Sequence, residues 1–171
     1  AGKRGKGLIF DGENDFINIT HGESLNINKN ITIEAWNKPT INTSVNGILV
    51  GKKVAGTNKA FYIVYRRNGT YSFWIRDAGN AAAQAFSSTI MNDSDWHHVA
   101  GMRAENELRI YVDGVLEGTA DASSITGDYN DATTNLEIGN MPTATQYFNG
   151  TIDEVKIWNR ALDAVEINAS F

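Results

Sequence analysis

Three arginines and six aromatic residues stand close together in the segment AFYIVYRRNGTYSFWIR, residues 60–76. Its central Asn-Gly pair is typical of a two-residue type I′ turn between antiparallel strands. In that register, one face of the hairpin carries Tyr65, Arg67, Trp74 and Arg76. A tryptophan ring stacks on the apolar face of a sugar while arginines bond its hydroxyls, so this face is predicted to bind a glycan. The alternative, that Trp74 covers part of the core and both arginines are simply solvated, stays open.

Residue patterns for catalysis are absent from the sequence. Glycosidases need two carboxylates, which those with a β-sandwich fold typically carry in an E-x-D-x-x-E strand, and no such motif occurs. Neither a G-x-S-x-G nucleophile elbow nor a phosphate-binding or dinucleotide fingerprint occurs. His97 and His98 are adjacent and would point to opposite faces of a strand, which is unsuited to chelating one ion. We predict one hydrogen-bonded core histidine, one exposed histidine and no enzymatic activity.

Composition narrows the range of partners. The chain has 171 residues, 15 Lys and Arg against 20 Asp and Glu, and a net charge of −5. Nucleic acids and anionic membranes require a basic face, so neither is an expected partner. Without cysteine, disulfides and thiolate metal sites are impossible. The length suits one domain, which we place at 7–171, with 1–6 as a linker or cloning remnant.

Short alternating runs separated by Gly, Asn and Asp predict an all-β sandwich or barrel. The predicted strands cover residues 7–10, 15–19, 31–38, 47–53, 60–67, 70–76, 84–90, 97–103, 107–113, 115–120, 135–140 and 147–158. Only 161–168, ALDAVEIN, has helical spacing.

Four segments, in order, resemble the laminin G-like (concanavalin A-like) jelly-roll family, and in particular its bacterial and archaeal branch related to pentraxins. They read LIFDGENDFINI, ITIEAWNKP, DWHHVAGMRAENELRIYVDGVLEG and FNGTIDEVKIWNRALDAVEI. The resemblance implies two packed antiparallel sheets, one convex and one concave, with the first and last strands as neighbours. It also implies core positions for Trp36, Trp96 and Trp158. Asn37 replaces an apolar residue of the family pattern, which predicts an edge strand or a partly open one.

The last of these segments contains Asp153, a carboxylate that is costly to bury unless hydrogen-bond donors or a cation meet it. Backbone N–H groups, Lys156 or Arg160 are candidate partners. The family resemblance implies another partner, a structural calcium ion, which takes six to eight oxygen ligands. The residues that the resemblance assigns to this ion are Asp11 and Asp153, with Asn14 and Asp15 as lesser ligands.

Resemblance and hairpin together predict a non-catalytic carbohydrate-binding module that binds a glycan on its concave face. Such a module would belong to a larger secreted or surface protein, outside the cell or at its surface. The two arginines favour an anionic sugar, such as a uronate or a sulfated galactan. The alternative is a laminin-G-type adhesion or protein-interaction domain without sugar binding. A structural spacer or a divergent hydrolase is the third possibility.

Overall fold

A computed structural model describes residues 1–41, 46–53, 59–65, 68–130, 133–141 and 146–171, with Tyr62 and Val64 described by their backbone alone. These residues form twelve strands and one short α-helix. In chain order they are β1 (Leu8–Asp11), β2 (Ile17–Ile19), β3 (Ile31–Pro39), β4 (Gly47–Lys53), β5 (Ala60–Tyr65), β6 (Tyr71–Arg76), β7 (Ala82–Phe86), β8 (His97–Ala104), β9 (Glu107–Val112), β10 (Val115–Asp121), β11 (Leu136–Ile138), β12 (Asn149–Trp158) and α1 (Ala164–Ser170). A 3₁₀ turn covers Glu23–Leu25. Within the described residues, no helix has both the length and the apolar character needed to cross a membrane.

The strands form two antiparallel sheets of six strands each. The first sheet has the order β1-β12-β3-β8-β9-β10 and the second the order β2-β11-β4-β5-β6-β7. Strand β1 pairs with β12, with Leu8 opposite Ile152, so the first and last strands are neighbours as predicted. The predicted all-β jelly-roll sandwich is confirmed.

The core lies between the sheets and is built by alternation along each strand. In β3 the inward residues are Ile31, Ile33 and Ala35, which are all inaccessible to solvent. Facing them, β6 contributes Phe73, which lies against Gly101 of β8 so closely that a Cβ there would stand 2.5 Å from the Phe73 ring. Interdigitation of this kind is what the period-two pattern of the sequence requires.

The outer face of the first sheet is covered by the C-terminal segment. Asp163 and Glu166 form a reciprocal capping box that starts α1. The helix packs Ile167 on the sheet beside Tyr111 and Leu162. As a result β3 is buried on both faces, including the outward-pointing Thr32, Glu34 and Trp36.

Trp36 follows the prediction and is buried, with Phe171 stacked on its ring at 5.6 Å between centroids. The core prediction is wrong for Trp158, which is 36% exposed because its indole lies at the surface of the first sheet, where its N–H donates to Glu34. Trp96 is partly exposed.

The edge-strand prediction from Asn37 is also wrong, because β3 lies in the middle of the first sheet, between β12 and β8. The buried amide of Asn37 is satisfied on both sides. It donates to the carbonyl of His97 at 3.2 Å and accepts from the Tyr71 hydroxyl at 2.7 Å. A buried polar group with both partners costs little.

Candidate functional site

The hairpin β5–β6 pairs in a register one residue away from the predicted one. Tyr65 faces Tyr71 and Ile63 faces Phe73, so paired numbers sum to 136 instead of 137. Five residues, 66–70, therefore separate the last pair, an odd number that a two-residue turn cannot give. Such a shift moves every side chain of one strand to the other face. Arg67 lies outside the described residues.

Tyr65 consequently lies on the core face, not beside Trp74. It is 3% exposed and packs against the ring of Tyr71 at 5.3 Å. Its hydroxyl donates to the carbonyl of Met91 at 3.1 Å, and burial raises its pKa. The predicted shared face is therefore wrong for Tyr65.

Trp74 and Arg76 remain together on the outer face of the second sheet. Trp74 is partly buried, and the Arg76 guanidinium carbon lies 4.4 Å from the centroid of its ring, a cation–π distance. The Nε of Arg76 is buried and has no hydrogen-bond partner among the described residues. On the neighbouring strand, Gln84 stands opposite Trp74 and donates to the Ser72 hydroxyl at 3.0 Å. We call Ser72, Trp74, Arg76 and Gln84 the Trp74 face.

The register continues this face in one row across all six strands of the second sheet. The row consists of Gln84, Trp74, Tyr62, Gly51, Glu137 and Asn18. Over its middle, Met141 packs against Ile48 and Ala60, and the bare Gly51 permits this approach, since a Cβ there would stand 3.0 Å from Met141. Trp74 packs against this small cluster and keeps part of its surface exposed.

Glu137 was missed by the sequence analysis although its position gives a signal, a carboxylate between the strand residues Leu136 and Ile138. It is buried and accepts from the Asn140 amide at 3.1 Å. Burial raises its pKa. Its cross-strand neighbours, Asn18 and Gly51, bring no second carboxylate, which both glycosidase mechanisms require within about 10 Å.

Asp153 accepts hydrogen bonds from backbone N–H groups. The N–H of Arg4 donates to Oδ2 at 3.0 Å, and the N–H of Glu154 donates to Oδ1 at 2.9 Å. Glu154 has φ of 48° beside the irregularity in the β12–β3 pairing. Lys3, next to Arg4, lies over the ring of Trp36 at 3.8 Å, so the first residues contact the domain.

The four predicted calcium ligands do not converge on one position. Asp11 stands opposite Asn149, four residues from Asp153 on β12, or about 13 Å along the strand. Two ligands of one calcium ion lie within about 5 Å of each other. Asp11 instead accepts from the N–H groups of Glu13 and Asn14, bonds that lower its pKa, while Asp15 accepts from the N–H of Asp11. Among the described residues, no group of three acidic or histidine side chains could hold a metal.

Both histidines of the DWHHVA segment are buried, so the predicted exposed one is absent. They point to opposite faces, as expected. His97 lies between Asp113 at 2.8 Å and Asp93 at 3.0 Å. Burial opposes its charged form, but the two hydrogen bonds outweigh burial and raise its pKa. His98 donates to Glu34 at 3.1 Å beneath α1.

A laminin G model of the concanavalin A-like lectin/glucanases superfamily matches residues 11–168. The human adhesion G-protein coupled receptor D1 is 36% identical over 78 residues, which cover 44% of this chain and 9% of that receptor. The chain therefore spans about a tenth of the length of this curated relative.

Two solved structures share the fold at low identity. Domain 4 of AbnA, a GH43 extracellular arabinanase from Geobacillus stearothermophilus, was solved with arabinotriose. It has a TM-score of 0.76 and 17% identity, covering 98% of this chain and 77% of that one. The CBM40 of the Ruminococcus gnavus IT-sialidase, bound to α2,3-sialyllactose, has a TM-score of 0.73 and 16% identity, covering 92% and 97%.

Proposed function

The chain belongs to the concanavalin A-like lectin/glucanases superfamily, and from this premise we propose that it is a non-catalytic carbohydrate-binding domain. Family and neighbours support binding to a glycan or to a protein. Two of the structural neighbours were solved with oligosaccharides bound, which favours the glycan. Fold alone does not fix a function, so the proposal depends on the chemistry of the site.

The Trp74 face is the proposed contact surface, and the observation that carries it is the partly exposed Trp74 with Arg76 over its ring. The outer face of the first sheet is unsuitable because α1 and Phe171 cover it. On the second sheet, Met141 covers the middle of the row and the Trp74 side stays partly accessible. A sugar would therefore contact β6 and β7.

The chemistry of the Trp74 face suits a hydroxyl-rich ligand. The indole offers an apolar surface to the C–H groups of a sugar ring, as aromatic side chains with a polar partner commonly do. The guanidinium of Arg76, a partly exposed residue, lies over the ring, and its terminal amines can donate to a sugar oxygen. The amide of Gln84 lies beside the ring and can bond a hydroxyl. The site is thus apolar at its centre and polar at its rim.

We propose binding without catalysis because the described residues of the row that contains Trp74 include one carboxylate, Glu137, and no second one. Glu137 has the raised pKa of a general acid, but Asn18 and Gly51 flank it. Inverting and retaining enzymes both need a second carboxylate.

Titration with soluble glycans tests the proposal. Arabinan, galactan and sialylated oligosaccharides would be added while tryptophan fluorescence and heat of binding are measured. Trp74→Ala should weaken binding at least tenfold, equivalent to about 1.4 kcal/mol, and leave the melting temperature within a few degrees. Arg76→Gln should also weaken binding. Its matched control is Arg160→Gln, which should not, because Arg160 lies 5.5 Å from the ring of Trp158 on the other sheet. Retained affinity in folded Trp74→Ala would remove this face from the proposal.

The second candidate function is adhesion or protein interaction of the laminin G type, supported by the 36% identity to part of an adhesion receptor. It predicts no response to any glycan. An extracellular or cell-surface location, as a part of a larger protein, is proposed with either function.

Calcium binding stays a prediction from the sequence. The proposed sugar contact uses side chains of β6 and β7 and involves no ion.

A further inference from the structure

A polar cleft lies at one end of the sandwich, where the β8–β9 turn meets the segments before β3 and after β10. Its volume is about 380 Å³, within the range of roughly 300–1,000 Å³ that small-molecule sites occupy. It is lined by residues that include Asn28, Asn30, Arg103, Glu105, Thr126 and Asp128. Most of these side chains are polar, and we call this site the Arg103 cleft.

Arg103 is a buried cation in this cleft, with 8% of its surface exposed. Its Nε donates to the carbonyl of Glu105 at 3.0 Å, and Nη2 donates to the carbonyl of Ile125 at 2.7 Å. The guanidinium carbon lies 5.3 Å from the ring centroid of Tyr129. All three contacts are with neutral groups, and they fix the orientation of the guanidinium plane.

The guanidinium has no counter-ion in the described chain. No carboxylate of the described residues lies within 4.0 Å of Arg103, whereas Arg109 and Arg160 each have one. Its hydrogen bonds to the backbone carbonyls of described residues use Nε and Nη2. A buried charge is normally paired, and arginine matches the planar geometry of an oxyanion with two N–H groups. An arginine held rigidly on neutral partners, with one amine left over, is prepared to bind an anion.

The rim of the cleft limits what kind of anion fits. Glu105 and Asp128 are exposed carboxylates there, and Glu105 already accepts from the Asn30 amide at 2.9 Å. Lys29 is the exposed cation of the rim. Because the rim carries both signs, a ligand with many charges gains no net attraction. One oxyanion that reaches Arg103, surrounded by hydroxyls that meet the amides and Thr126, fits better.

We propose that the Arg103 cleft binds the single oxyanion of an acidic sugar, a carboxylate or a sulfate ester, at Nη1 of Arg103. That the carrier is a sugar rests on the proposed function, whereas the binding of an oxyanion rests only on Arg103 and its partners. The cleft is thus a second contact point, separate from the Trp74 face, and it gives the domain a preference for acidic over neutral chains.

The experiment compares three oligosaccharides by calorimetry: a galactan trisaccharide that ends in one galacturonate, the neutral methyl ester of that trisaccharide, and a galactan trisaccharide with one sulfate. Arg103→Lys keeps the charge but removes the planar pair of donors, and Arg109→Gln is the control, since it neutralises a partly exposed arginine already paired with Glu107. The galacturonate-bearing or the sulfated trisaccharide should bind the wild type at least tenfold more tightly than the ester. Arg103→Lys should reduce this ratio to below threefold, and Arg109→Gln should keep it. The two acidic probes distinguish a carboxylate from a sulfate.

NMR of the unaltered protein guards against misfolding of the variant. Sodium glucuronate should shift the Arg103 Nε–H and the Tyr129 ring resonances at millimolar concentration. Equal affinity for acid and ester, or unshifted Arg103 resonances, would overturn the proposal. If Trp74→Ala abolishes binding of all oligosaccharides while glucuronate still shifts Arg103, the cleft stands by itself. If no oligosaccharide binds but glucuronate shifts Arg103, the glycan function fails and the anion site remains.

Discussion

Replacement of Glu34 by alanine should be one of the most destabilising changes on the covered outer face of the first sheet. The side chain is fully buried, with Oε1 accepting from the Trp158 indole at 2.5 Å and Oε2 accepting from His98 at 3.1 Å. Burial disfavours its charged form, but these bonds, with one from Ser170, outweigh burial and lower its pKa. Glu34 therefore connects β3, β8, β12 and α1 as a carboxylate.

The expected loss of stability follows from the hydrogen-bond donors that the substitution leaves without a partner. Each buried donor left without a partner costs about 1–3 kcal/mol, and two are left, the indole N–H and the His98 Nε2–H. Removal of one partner of a buried charged pair costs about 3–5 kcal/mol in other proteins. We expect Glu34→Ala to lower the free energy of unfolding by about 3–5 kcal/mol, or to lower Tm by roughly 6–20 °C for a domain of this size.

Urea unfolding followed by circular dichroism measures this loss, with an unchanged m value as the sign that two-state behaviour is kept. Glu107→Ala is the control, since it breaks the exposed pair with Arg109 and should cost less than about 1 kcal/mol. Glu34→Gln should fall between the two. Because the pKa of Glu34 is lowered, its contribution is present above the unfolded pKa and is lost as pH falls through the folded value. A loss below 1 kcal/mol in Glu34→Ala, with an unchanged m value, would refute the reasoning.

Three further predictions concern pH, packing and calcium. The pKa of His97 is raised by its bonds to Asp93 and Asp113. The stability from these bonds should therefore be complete below the unfolded pKa, near 6.5, and should be lost as pH rises through the folded pKa. Thermal melts from pH 5 to 9 should show this fall in Tm for the wild type and a smaller fall for His97→Gln. Gly101→Ala should lower the free energy of unfolding by about 1–3 kcal/mol, because the new methyl group overpacks against Phe73. Adding Phe73→Leu to this variant should recover part of the loss, which urea unfolding of both single variants and the double variant would measure. A structural calcium ion, which stays a prediction from the sequence, should make Tm clearly lower in EDTA than in calcium chloride, and an equal Tm in both would contradict the calcium prediction.

Local patterns in the sequence predicted most of the strands and the helix. The alternation of apolar residues placed strands close to those observed, and ALDAVEIN marked the region where α1 lies. The turn at Asn68 was located correctly, but its type was not, and one residue of difference reversed the face of Tyr65. A turn type depends on backbone angles that two letters do not determine.

The candidate site could be predicted only in part. Trp74 and Arg76 came together because they are two residues apart on one strand, a spacing that by itself puts both on one face. Backbone N–H groups were among the predicted partners of Asp153, but the sequence did not show that one of them belongs to Arg4, far away in the chain. Glu34 and Arg103 drew no attention at all, because nothing near them in sequence shows that they are buried.

The amino-acid sequence by itself determined the fold class, the positions of the strands along the chain and the family of the chain, because period-two alternation and short motifs are local properties. The tertiary structure decided which face each polar group points to and which partner it finds. Those outcomes depend on how distant segments pack: α1 over Glu34, residue 4 on Asp153, and the loop after β10 over Arg103. The cost of leaving a buried charge or donor unpaired is paid or avoided only once those segments meet.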